Sequence, residues 1–563
     1  MDEKLQIIFG LLGGLAVFIY GMNMMSECLQ KAAGERMKNI LSLLTRNPVM
    51  GALAGALVTA VLQSSSATTV MAIGFVSAGL MTLPQAISII FGANIGTTIT
   101  AQIIAFKLSD YIYLIIFVGF IISFIVKSEK MKNIGQTVFA FGLLFLGIET
   151  MGSVMKPLAS SPVFTNMIAK VADAPVLGVL VGTLMTLVVQ SSSATIAVLQ
   201  NFAAQPAADG VSSIIGLAGA IPILFGDNIG TTITALLASV GQTRDAKRTA
   251  LAHCVFNISG CLLFIWFVRP FAALIQYLSP KGPEVEVISR QIANAHTTFN
   301  LIMVLIWVPL IALMVKIVMT LIPEGRKEKP DPKEPLYLDE NLIAQPVVAL
   351  QMVAREVMHC ADVVNQMLDA VSRASKKAEP GALNQIEEHS QVVSSLYGKI
   401  NEYLSELFAS GVLTEVQATQ TAGLMYVLGD IDRLGYLSKE VSANLKEKAE
   451  KEYAYSEEAM QDLQQSLGMV QEMFNEAVGI LRTGDLSNAR KLQKKRDHVL
   501  NMDIKMRKDH VQRVNEGKCK ANLTVPFNQI LHSIDQMGNT CVNIADASIN
   551  GTCFGYFLEM EKE

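Results

Sequence analysis

The segment PVMGALAGALVTAVLQSSSAT, beginning at Pro48, returns at Pro175 as PVLGVLVGTLMTLVVQSSSAT, without a gap and identical at about two-thirds of its positions. Each copy is a long apolar run broken by a glutamine and three serines. Apolar runs of this length read as membrane spans, at about 20 residues per crossing. Hydroxyls and amides inside a span cost free energy unless they find partners. An apolar stretch with a polar break therefore predicts a discontinuous or re-entrant helix pair, tolerated only where protein or a water-filled cavity covers the freed backbone. Downstream, FGANIGTTITA from Phe91 is matched by FGDNIGTTITA from Phe225. Each unit is thus a broken pair followed by a helix carrying N-I-G-T-T. Interrupted segments in matching places of two halves predict a binding site where the halves meet.

Composition divides the chain. Of 563 residues, 17% are charged, against about 25% in an ordinary soluble domain. The deficit lies in the first part, which is apolar with interspersed Gly, Ala, Ser and Thr up to Ile322. The stretch Leu5–Met25 is long enough to cross a bilayer, and Asp2 and Glu3 spoil a signal-peptide n-region, so it reads as the first span. Further apolar segments cover 49–80, 84–106, 111–126, 135–151, 176–204, 214–240, 249–268 and 295–322. The expected domains are a transmembrane unit over 1–323, with repeats near 48–126 and 175–268, then a linker over 324–338 that includes EGRKEKPDPKEP, then a helical domain over 339–563. Breaks such as Glu379-Pro380-Gly381 and Thr483-Gly484-Asp485 divide that last part into six amphipathic helices, which should pack as bundles. Arg326, Lys327 and Lys329 place it in the cytoplasm by the positive-inside tendency. A net charge of -4 argues against nucleic acid as a partner. The seven cysteines show no paired spacing and read as reduced packing residues.

The polar tracts carry the chemistry. A lone serine run in a membrane helix reads as back-bonding or close packing; two in equivalent places point to a site. A broken helix exposes backbone N–H groups at its new N-terminus, where the macrodipole favours an anion. Ser64, Ser65, Ser66, Ser191, Ser192 and Ser193 add hydroxyls, and Gln63 and Gln190 both donate and accept. No Lys or Arg lies in either tract, so co-transported cations have to balance the anion's charge. Asn94, Thr97, Thr98, Asn228, Thr231 and Thr232 offer the neutral oxygens that hard cations prefer, while Gly96 and Gly230 permit local unwinding. Asp227, standing where the first copy has Ala93, is a functional candidate at membrane depth or a helix cap at the water interface. AHCVFN from Ala252 and AHTTFN from Ala295 place His253, His296, Asn257 and Asn300 at one-turn spacing, which reads as interhelical hydrogen bonding.

Duplicated QSSSAT with GxNIGTT resembles the type II sodium-phosphate cotransporters, and the added helical tail resembles their bacterial members. The resemblance covers about residues 1–322. It implies an all-α, polytopic transporter of two inverted repeats with broken or re-entrant helices, in the cell (inner) membrane, with a cytoplasmic helical-bundle domain. It implies phosphate or sodium contacts for Gln63, Ser64, Ser65, Ser66, Gln190, Ser191, Ser192 and Ser193, and sodium sites supported by Thr68, Asn94, Thr195 and Asn228. Two departures stand out: the first unit has no A-H-x-x-F-N element after Phe106, and Asp227 stands where that family carries small or neutral residues. In the tail, DIDRLGYLSKEV from Asp430 and SIDQMGNTCVNIAD from Ser533 resemble the two signature segments of PhoU, whose acids hold metal clusters. Tyr436 and Asn539 replace the closing acid here, leaving Asp432 and Asp535 as half a ligand set.

The function this implies is sodium-coupled secondary transport of inorganic phosphate by alternating access. Sodium is the coupling ion, no cofactor is needed, and the PhoU-like domain regulates, through a cytoplasmic partner or within a homo-oligomer. A phosphate-sensing receptor and a sodium-independent anion channel are the alternatives. No Walker motif or nucleophile–base set suggests an enzyme.

Overall fold

The computed structural model describes residues 3–42, 47–106, 108–159, 174–207, 209–324, 331–376, 380–411, 413–450, 455–484 and 489–549. Arg326, Lys327, Lys329 and Cys553 lie outside them. Regular structure among the described residues is helical, apart from one isolated bridge between Pro206 and Ser213. Internal contacts divide the chain into two compact units, Met1–Arg326 and Lys327–Glu563.

The first unit opens with α1 (Glu3–Ser42), much longer than the expected first span. The first repeat follows as α2 (Pro48–Leu62), α3 (Ser65–Ser77) and α4 (Leu83–Ile104). Next come α5 (Ile112–Ile125) and α6 (Glu129–Ala159). The second repeat is α7 (Pro175–Val189), α8 (Ser192–Ala203), α9 (Gly216–Gly230) and α10 (Thr232–Ala238). It is followed by α11 (Arg244–Phe264), α12 (Val268–Leu278), α13 (Glu284–Trp307) and α14 (Ile311–Leu321). Among the described residues, five stretches, Leu5–Lys31, Leu83–Ile104, Met131–Met155, Gly216–Ala238 and Arg244–Leu278, are long and apolar enough to cross a membrane. The apolar run read as one span over 295–322 is instead bent by 84° between α13 and α14. Large apolar side chains such as Leu53, Leu57, Leu180, Leu184, Val188, Phe124 and Trp266 are exposed on the outside, as a lipid-facing surface requires.

Small residues set the spacing inside each repeat. A methyl group on Gly55 would run into the Ile89 backbone, and one on Gly92 into that of Ala52, so α2 and α4 lie backbone against backbone. The second repeat repeats the device, with Gly182 against Ile223 and Gly226 against Val179, bringing α7 onto α9. Without a hydrophobic drive between helices in lipid, such close approach is what holds them together. This is also why the expected unwinding at Gly96 does not occur. The α4 helix runs unbroken through it, and Gly96 leaves room for Thr59 and the Ala56 carbonyl. At Gly230 the helix is interrupted only at Thr231, whose backbone stays right-handed (φ -61°, ψ -24°).

The second unit contains α15 (Pro346–Lys376), α16 (Pro380–Ala409), α17 (Glu415–Glu450), α18 (Glu457–Thr483), α19 (Ala489–Asn515) and α20 (Thr524–Ile549). Their apolar stripes merge in one core that includes Leu350, Val357, Leu396, Leu428, Phe474, Phe527 and Ile534, all buried. The last part of the expected linker is not free chain. The fully buried Glu356 carboxylate accepts the N–H groups of Leu336 (2.8 Å) and Tyr337 (2.7 Å), and Tyr403 donates to the Asp339 carbonyl (2.9 Å).

Candidate functional site

Each QSSS tract is a helix break of the same construction. The α2 helix ends at Gln63, whose backbone is left-handed at φ 53°, and α7 ends at Gln190 at φ 57°. Ser64 and Ser191 then turn extended (φ -146° and -145°) and cap the next helices, their hydroxyls accepting from the N–H of Ala67 (3.2 Å) and Ala194 (3.3 Å). The carbonyls of Ser64 and Ser191 take the N–H groups of Thr68 and Thr195. The amides of Ser65, Ser66, Ser192 and Ser193 are thus left without an intrahelical acceptor, at the positive ends of two helix dipoles.

A threonine pair braces each break. Thr59 on α2 bonds Thr68 on α3 at 2.8 Å, and Thr186 on α7 lies 3.1 Å from Thr195 on α8. Thr59 and Thr186 occupy the same place in the two repeats, so the alignment itself held this signal. The second repeat adds a carboxylate. Asp227 is fully buried in the last turn of α9 rather than at a helix N-cap, and its Oδ1 accepts from Thr186 at 2.6 Å while Oδ2 has no partner. That placement discards the helix-cap reading.

The two breaks meet. Gln63, Ser64, Ser65, Ser66, Gln190, Ser191, Ser192 and Ser193 all line one cavity of about 240 Å3, joined by Leu62, Val189 and the α1 residues Ile19, Met22, Asn23 and Ser26. Asn23 and Ser26 were not singled out from sequence, where they look like incidental polar residues in an apolar run; Ser26 donates to the Leu62 carbonyl at the end of α2 (2.5 Å). Gln63 is buried and its Oε1 accepts from Thr100 of α4 at 2.9 Å, whereas Gln190 is exposed. Thr234 is the second-repeat counterpart of Thr100, and it reaches across to the first tract, donating to Ser66 at 3.1 Å. No lining residue is cationic, so hydroxyls and helix N-termini supply the positive potential. The volume admits a small oxyanion with some of its water.

The residues expected around a cation are placed differently. Apart from Gln63 and Gln190, none of them lines the cavity. On α4, Asn94 donates to the Ile90 carbonyl (2.8 Å), Thr97 to Ala93 (3.2 Å) and Thr98 to Ile95 (2.8 Å). On the second repeat, Thr231 donates to the Asp227 backbone carbonyl (2.9 Å), Thr232 to that of Ile229 (2.7 Å), and Asn228 Oδ1 pairs with His296 Nε2 (3.2 Å). Thr68 and Thr195 sit behind the breaks rather than in the cavity. Their hydroxyls, like those of Thr97 and Thr231, retain lone pairs for a cation.

In the second unit, Asp535 faces Arg496 (3.3 Å), and Asn539, in the place of a closing acid, accepts from the same guanidinium at 2.6 Å. A side-chain cation thus stands beside Asp535. Asp432 is half-buried on α17, and among the described residues no group of three or more His, Cys, Asp or Glu side chains is placed to hold a metal. Burial raises the Asp430 carboxyl to about 6, against the lowering effects of Asn543 and Arg433.

The family model described as Na+/Pi-cotransporter matches residues 17–153 and 151–279, and that described as PhoU domain matches 463–548. "Putative inorganic phosphate export protein YjbB" of Salmonella typhimurium is 25% identical over 508 residues, 90% of each chain. Uncharacterized protein YqeW of Bacillus subtilis is 32% identical over 306 residues, 54% of this chain and 95% of its own. Sodium-dependent phosphate transport protein 2B of Homo sapiens is 42% identical over 99 residues, 17% of this chain and 14% of its own.

Proposed function

The chain belongs to the Na+/Pi-cotransporter family, and we propose that it couples the passage of inorganic phosphate across the membrane to sodium, by alternating access around the cavity shared by the two QSSS breaks. The observation that carries this reading is the convergence of both tracts on one cavity without a fixed cation. Phosphate would take the free amides and hydroxyls of Ser65, Ser66, Ser192 and Ser193, with Gln63, Gln190, Ser64 and Ser191 completing its shell. With no Lys or Arg beside it, the bound anion gains from each sodium ion held nearby, which is the thermodynamic basis of coupling. Thr68, Thr195, Asn94, Thr97, Thr98, Asp227, Asn228 and Thr231 are the candidate oxygen donors for those ions. The buried Asp227 carboxylate, with one oxygen unpartnered, is the strongest of them for a hard cation.

The membrane is the inner (cell) membrane and the helical unit is cytoplasmic in this reading, which rests on the basic cluster after the last apolar helix. The second unit, which contains the PhoU match, sets the transport rate according to phosphate supply, alone or through a partner. Net direction follows from the sodium and phosphate gradients and the stoichiometry; two of the relatives above carry export and sodium-dependent transport in their names. Phosphate flux into proteoliposomes under a sodium gradient, a potassium gradient or none is the test. Flux that needs sodium is expected. Full-rate flux without it would establish a channel, and phosphate binding without flux a receptor.

A further inference from the structure

The element AHxxFN occurs twice, as AHCVFN on α11 and AHTTFN on α13, and neither copy lies within the first repeat. The structure distributes them between the repeats. Phe256 of α11 stacks on Phe91 of the first repeat, with ring centroids 4.8 Å apart. Phe299 of α13 packs on Phe225 of the second repeat, also at 4.8 Å. Phe91 and Phe225 open the two FGxNIGTT segments, so α11 supplies to the first repeat what α13 supplies to the second. Within each element the asparagine donates to the carbonyl of its own histidine, Asn257 to His253 (3.3 Å) and Asn300 to His296 (3.0 Å).

This correspondence makes His253 the counterpart of His296 and Asn94 the counterpart of Asn228. The counterparts are not bonded alike. His296 Nε2 pairs with Asn228 Oδ1 at 3.2 Å. His253, 1% exposed, has no partner at either ring nitrogen, and Asn94 turns its amide back to the Ile90 carbonyl. Buried polar groups are almost always paired, and an unpaired one calls for an explanation. A structure built from two equivalent repeats that take different conformations in turn provides one, because what is open in one repeat is closed in the other.

We propose that His253 and His296 are alternately engaged positioning residues. His296 holds Asn228 in the state described here, and His253 takes up Asn94 when the repeats exchange conformations, as His296 releases Asn228. This rests on the alternating-access reading above. Each engagement fixes the amide of a candidate sodium donor, so one asparagine is oriented at a time. The exchange is also nearly balanced in energy, since one buried hydrogen bond replaces its equivalent. A transporter that must visit both states needs that balance.

The test uses the full chain in oriented membrane vesicles, with Asn23→Cys as a cavity reporter labelled by a membrane-impermeant thiol reagent from either side. His296→Leu and His253→Leu are expected to shift the ratio of labelling from the two sides in opposite directions, each at least about threefold. His296→Gln, whose amide still donates, should return towards the parent. Asn94→Ala should shift labelling in the same sense as His253→Leu, with the double variant no further displaced than either single. Shifts of the same sign for both histidines, or none, overturn the proposal. So does full additivity between Asn94 and His253, which remains readable where a leucine variant fails to fold. Labelling requires no transport. A parent that carries no phosphate while its variants shift oppositely would defeat the transport reading alone, and sodium-dependent flux with same-sign shifts would defeat this proposal alone.

Discussion

Gln63 and Gln190 are the two non-glycine residues with a left-handed backbone among the described residues, and both end a helix at the wall of the same cavity. A side chain held in that region costs on the order of 1–3 kcal/mol. Glycine would adopt it freely, yet glutamine stands there twice. Strain kept at equivalent positions on a shared cavity is accounted for when the side chain does something glycine cannot.

The exposed member of the pair separates strain from function. Gln190→Gly should be more stable than Gln190→Ala by about 1 kcal/mol, because only alanine retains the left-handed penalty. Both should weaken phosphate binding. Thermal unfolding in detergent, with and without phosphate, checks the two effects independently.

The threonine braces should differ in importance. Thr59→Val removes one hydroxyl pair at 2.8 Å, worth about 1 kcal/mol. Thr186→Val also takes the donor from the buried Asp227, leaving that side chain with no partner, a further loss of about 1–3 kcal/mol. Side-by-side unfolding of the two variants should show the larger drop for Thr186→Val, and adding Asp227→Asn should recover part of it.

In the second unit, the Asp430 carboxyl is raised by burial to about 6. Between its unfolded value near 3.8 and that value, the folded form holds the proton and the unfolded form has lost it. Stability is therefore greatest below this window and falls as pH rises through it, by ~1 kcal/mol after allowance for screening by water. Asp430→Asn should flatten that slope, which hydrogen exchange of the α17 and α20 amides in the whole protein will register.

The repeated segments were legible because broken helices leave polar residues where an apolar period should run, and one copy checks the other. The same comparison held Thr59 and Thr186, which look like ordinary small residues until the pairing across the break is known. Asn23 and Ser26 left less trace, since their role depends on α1 packing beside both breaks, a long-range contact. Gly96 was misread for a physical reason: the same residue type serves unwinding and close approach, and only the position of the Ala56 and Thr59 neighbours decides between them. The missing AHxxFN of the first repeat was a matter of connectivity, because α11, far along the chain, provides it through Phe256. In the tail, the substitution by Asn539 was visible, but not that Arg496 would fill the space.

The central claim is that both tracts hold one phosphate. Equilibrium binding of radiolabelled phosphate to the purified protein in sodium measures this directly, with Ser65→Ala and Ser192→Ala compared against the parent. The account predicts one phosphate per chain, with affinity lowered at least about tenfold by either substitution, as expected for loss of a hydrogen bond to a charged ligand. Two phosphates per chain, or a variant that binds as the parent does, would contradict it.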